Sequence, residues 1–209
     1  MQSSKAIGTL LALTICVCPC FASGPTEIPF NSGQIVLEVV GQVNNSGSNS
    51  VQFGYASKVA GVGNAFLTNS AADQNESTAR FTFYTEVVNR RVTTNGPLTL
   101  IVREGTTTVY LNTSPATFNS PDSFRSGTPI QTSAIHQQVI VDTIERTFTV
   151  VNSNTITSTE RFWADGTEFE LGDVGQIFKT RLVGMLKVRD GSTPPPTGYF
   201  SGYSEGVRK

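Results

Sequence analysis

From residue 34 to residue 188 the chain keeps a rhythm of two. Apolar and polar side chains alternate in run after run, and no stretch of three helical turns places apolar residues three and four apart. Alternation of this kind builds strands with one buried and one solvated face. The turn chemistry agrees. Asn95-Gly96 and Ala164-Asp165-Gly166 tolerate the positive φ angles of tight turns, and Glu104-Gly105 reads as a further turn. The expected fold class is all-β, an antiparallel meander of roughly eight to ten strands. No internal repeat of propeller or solenoid length is visible.

Strand lengths select the architecture. Residues 130–142 and 147–159 form a hairpin pair, and residues 176–188 form another long strand. At about 3.3 Å per residue such strands approach roughly 43 Å, so they must coil or break at bulges. Long coiled hairpins favour a closed barrel, which also removes exposed edges, over a two-layer sandwich. The general look is similar to small exported barrels such as lipocalins and allene-oxide-cyclase-like barrels, at the level of fold alone. A membrane barrel is disfavoured, because Arg80, Glu86, Lys179, Arg181 and Lys187 occupy the second strand faces.

The faces follow from the alternation. Phe81, Phe83, Thr85 and Val87 are expected inside, as are Phe178, Thr180, Leu182, Gly184, Leu186 and Val188. Val51, Phe53 and Tyr55 are set against Gln52 and Gly54, and Leu98, Leu100 and Val102 form another apolar row. Phe148, Phe162, Trp163 and Phe169 join the expected core. Gly184 in mid-strand suggests a bend or a close backbone contact.

Residues 1–22 read as a secretory signal peptide. Lys5 supplies the positive start and residues 6–18 the apolar run, too short to span a bilayer, which takes about 20 residues. Cys16, Cys18 and Cys20 all lie in this segment, so the mature chain is expected to be free of cysteine and of zinc–sulfur chemistry. The expected location is secreted or periplasmic. Residues 23–33 read as an extended lead-in, 34–189 as a single β domain, and 190–209 as a flexible Pro/Gly/Ser-rich tail. Residues 44–50 read as a loop. The proline-rich stretch 112–129 is too long for an ordinary hairpin connection, so it is either functional or poorly ordered.

Charge excludes partners. Formal net charge is −1 with 15% charged residues, so no basic surface for nucleic acid is expected. The one histidine, His136, shares its face with Ala134, Gln138 and Ile140 and is expected to point outward. The densest acidic stretch places Glu168 and Glu170 on one side of a strand, about 7 Å apart. They are the weak candidates for acid–base work. With Asp165 and Asp173 they are the weak candidates for calcium. Three Asn-x-Ser triplets begin at Asn44, Asn75 and Asn112. No cofactor is expected. The first functional reading is a secreted β-barrel binding module for a small apolar molecule or carbohydrate. The alternatives are a structural or surface-interaction protein with a filled core, and a carboxylate-dependent hydrolase or isomerase. An enzyme is the less favoured class, and the sequence leaves the oligomeric state open.

Overall fold

The computed structural model describes residues 24–187 and 197–207. The signal-peptide segment with its three cysteines, Val188 and Pro194 to Pro196 fall outside these residues. The strands are β1 (Thr26–Ile28), β2 (Ile35–Ser46), β3 (Asn49–Val59), β4 (Phe81–Asn95), β5 (Leu98–Leu111), β6 (Thr128–Asp142), β7 (Thr147–Thr159), β8 (Phe162–Ala164), β9 (Thr167–Leu171), β10 (Ile177–Leu186) and β11 (Thr197–Gly206). Eight of them, β2 to β7 with β10 and β11, close into an antiparallel barrel. The chain meanders from β2 to β7, leaves for the short β8–β9 hairpin, and returns as β10 and β11. Strand β11 then pairs with β10 on one side and β2 on the other, so the ladder has no open edge.

The length problem is solved by bulges. Register shifts occur at Glu38/Val39, Asn89/Arg91, Val109/Tyr110, Thr132/Ser133 and Ser204/Glu205. Each inserts an extra residue and sharpens the coil of a long strand.

Several sequence expectations change. Strand β11 runs through the segment read as a flexible tail, because Gly198, Phe200, Gly202, Ser204 and Gly206 alternate inward against β10 and β2. The lead-in carries β1, which pairs in parallel with β9, and delivers Phe30 onto Phe178 with ring centroids 4.2 Å apart. The small sheet β1–β9–β8 thus corks one barrel end, with Ile28, Phe162, Phe169 and Leu171 buried beneath it. Residues 44–46 continue β2, and the turn is only Gly47-Ser48. Glu104-Gly105 is no turn, since β5 runs straight through it. A Cβ on Gly105 would strike the backbone of Glu86 and Val87, so this glycine marks a close strand approach.

Two faces are reversed. In β3 the lumen side is Ser50, Gln52, Gly54 and Ala56, and in the first half of β5 it is Ile101 and Arg103. Phe53 is nevertheless fully buried, because the 112–127 connection folds over it from outside. That connection is ordered. Its 3₁₀ turn Pro121–Arg125 packs Phe124 on Phe53, and the Thr82 hydroxyl donates to the Phe124 carbonyl at 2.8 Å. Trp163, read as core, is 64% exposed on the cap hairpin.

Glycines set the width of the lumen. The Phe148 ring lies over Gly184 and Gly198, and the Phe200 ring over Gly41. A methyl at Gly184 would meet both the Phe148 ring and the Tyr199 carbonyl. We therefore expect Gly184→Ala to lower stability by about 2–3 kcal/mol, as overpacking does. Gly24→Ala, with open space around it, should leave the urea midpoint where it is.

Candidate functional site

The lumen is layered. At the capped end, Phe178, Leu182, Phe83 and Val109 meet around the axis. At the other end, Val139, Phe148, Val150 and Phe200 do the same. Between them lies a polar plate. Gln52 Nε2 donates to Gln137 Oε1 at 2.9 Å, and Gln137 Nε2 donates to Asn152 Oδ1 at 3.0 Å. All three side chains are buried. A buried amide left unpaired costs about 1–3 kcal/mol, so the plate holds only as a set.

Arg103 extends the plate toward the uncapped end. Its side chain is buried at 5% exposure, alone among charged residues in the described core. Nε donates to Asn89 Oδ1 at 2.8 Å, Nη1 to Ser50 Oγ at 3.0 Å and to Gln137 Oε1 at 3.4 Å, and Nη2 to Asn45 Oδ1 at 3.1 Å. Every acceptor is neutral. Burial lowers the guanidinium to about 10, which leaves it charged at neutral pH.

Free space inside is small. Two cavities of about 50 Å³ each flank the plate, one lined by Thr85, Thr107, Thr180 and Ser204 with apolar neighbours, the other by Arg103, Asn45 and apolar walls. A water needs about 10–15 Å³ on this scale, so each cavity holds a few waters, far below the roughly 300–1,000 Å³ of ordinary ligand pockets.

The larger space is outside. A groove of about 380 Å³ crosses the outer wall of β10, β11 and β2. Its ridge residues lie in two rows across the strands, Val183–Ser201–Val40 and Met185–Tyr199–Gln42. Val183, Met185 and Tyr199 are 62%, 66% and 47% exposed. Phe118, carried by the ordered connection, closes one end. Among the described residues no charged side chain lines it.

Comparison with known families, curated proteins and solved structures finds no match.

The acidic candidates are dispersed. Asp165, at φ +51°, accepts from Arg80 at 2.7 Å and from the backbone N–H groups of Gly63 and Asn64, which hold its carboxyl below the usual range. Glu168 lies 3.9 Å from Arg161. Glu170 faces outward on the same side of β9 and is level with Glu27 in the β1–β9 register, and Asp173 lies near enough to help raise the Glu27 carboxyl. Among the described residues no group of three or more such side chains could hold a metal. His136 is exposed, with Nδ1 4.0 Å from Glu104. Of the three Asn-x-Ser triplets, Asn112 is buried and its amide nitrogen lacks a partner among the described residues, whereas Asn75 is exposed.

Sequence reasoning passes over Arg103 and the groove. In residues 98–103 the apolar row is Leu98, Leu100 and Val102, so alternation points Arg103 outward, whereas the lumen takes the Ile101 and Arg103 face. Val183 and Met185 sit at outward positions that the period does identify; Tyr199 lies in the segment read as a tail, so its place beside them on β11 is not legible.

Two stability tests follow. Gln137→Leu strands Gln52 and Asn152 and should cost about 3 kcal/mol in urea unfolding. Partial burial, then Asp173 and Glu170, raise the Glu27 pKa. A raised carboxyl binds its proton more readily in the fold, so stability falls as pH rises through that pKa. Glu27→Gln should therefore raise the thermal midpoint at about pH 7 and leave it unchanged below about pH 4, where Glu27 is protonated folded or unfolded.

Proposed function

We propose that this protein is a secreted or periplasmic binding module that takes an uncharged apolar ligand on its outer wall rather than in its lumen. The observation that carries the reading is the pairing of a filled interior with an uncharged groove several times larger on β10, β11 and β2. Exposed valine, methionine and tyrosine in adjacent rows form a contiguous apolar patch of the kind that marks a contact site. The ridge favours an apolar ligand over a carbohydrate, since Val40, Val183, Met185 and the Tyr199 ring dominate it and the hydrogen-bonding groups are Gln42, Thr147, Ser201 and the Tyr199 hydroxyl. The filled lumen also favours a second reading, a surface-interaction protein whose partner lays apolar side chains in the same groove. Neither Glu168 nor Glu170 lines the two lumen cavities or the wall groove, so none of these supports the carboxylate-enzyme reading.

Nile red, an uncharged apolar dye, tests the proposal. The wild-type protein should bind it saturably. Val183→Lys and Met185→Lys should each weaken binding about tenfold, a loss of about 1.4 kcal/mol. Val109→Phe, which fills the lumen, should leave binding intact. Equal binding by the lysine variants and the wild type would overturn it.

A further inference from the structure

The Arg103 side chain raises a question that the wall groove does not touch. A buried cation ordinarily has a carboxylate partner. Among the described residues Arg103 has none within 4 Å. The nearby acids Glu86 and Glu104 stand on the outer wall, with side chains 66% and 51% exposed. The described side chains lining this half of the lumen are otherwise neutral. A guanidinium has five N–H bonds. Four are engaged by Asn89, Ser50, Gln137 and Asn45, so one on Nη2 has no protein acceptor among the described residues. The same guanidinium lines a cavity of about 50 Å³, and the half-buried Asn45 and Asn89 lie between it and solvent.

We propose that this cavity is a binding site for one small monovalent anion, of the size of chloride or a short carboxylate, held against Arg103 in the half of the barrel away from the β1–β9–β8 sheet. Single charge follows from the single cation and its one spare donor. Small size follows from a volume of three or four water positions. Apart from the amides of Asn45 and Gln52 the wall is apolar, from residues such as Val43, Ile101, Val139 and Phe148, which disfavours the hydration shell a divalent anion would keep. The four neutral acceptors fix the guanidinium without neutralising it, so the bound anion supplies the missing countercharge.

Thermal unfolding at constant ionic strength tests this, with sodium gluconate, too large for the cavity, replaced stepwise by chloride or by acetate. The wild-type midpoint should rise saturably with at least one of the two, as mass action requires, and the tighter one identifies the anion. Asn45→Asp places a fixed carboxylate beside Nη2. It should raise the midpoint in gluconate and weaken the anion response at least about tenfold. A second readout is direct. Line broadening of the chloride or acetate resonance should saturate with the wild type and vanish with Val139→Phe, which fills the cavity and keeps Arg103. Identical midpoints in gluconate, chloride and acetate would overturn the proposal, as would an undiminished response in Asn45→Asp or in Val139→Phe.

Discussion

An eight-stranded barrel encloses a space just wide enough for side chains, and filling that width evenly is the constraint on which this structure turns. Large rings cannot face large rings across it. Phe148 therefore lies over Gly184 and Gly198, and Phe200 over Gly41. The glycines of β11 make room, and their strand closes the ladder. Closure and packing are thus one event: without β11 the barrel would have two open edges, the Phe148 ring would lose Gly198 beneath it, and the Phe200 ring over Gly41 would be gone.

The capped end obeys the same demand differently. Strands splay where a barrel ends, and no inward position is left to fill the mouth. The chain supplies a cork from two distant segments. Strand β1 brings Ile28 and Phe30, while β8 and β9 bring Phe162, Phe169 and Leu171. Gln131 Nε2 reaches the Leu171 carbonyl at 2.8 Å and ties cork to wall. The ion pair of Arg80 with Asp165 performs a comparable task at the rim, joining the cap hairpin to the start of β4.

The barrel could be read from residues because it rests on period two, and period two survives in every long strand. Inward faces were unambiguous where one face was clearly polar, as in β6, β7 and β10. They reversed where both faces were apolar or the inner face was polar. In β3 the aromatic face of Phe53 and Tyr55 is buried, though by a loop rather than by the lumen, and Gln52 goes inside because Gln137 and Asn152 are there to meet it. No local pattern carries that information, since the three amides lie on β3, β6 and β7. The closing strand is missed for a related reason. Its inward positions are mostly glycine, the residue that makes a segment look like a tail, and the need for glycine arises only from the rings opposite.

The polar plate and the wall groove are two consequences of the same filled interior. A barrel with an apolar axis throughout would need more large side chains than its width admits, and amides with their fixed hydrogen bonds span the gap at defined lengths. They also make a place where a guanidinium can be buried, since oxygen acceptors are already gathered there. Filling the lumen removes it as a pocket of ordinary size, and the proposed recognition site is therefore on the surface. There the outward positions of β10, β11 and β2 face little pressure from packing. Val183, Met185 and Tyr199 occupy sites at which a polar residue would fold equally well, and apolar residues at such sites are accounted for by what they contact rather than by what they support.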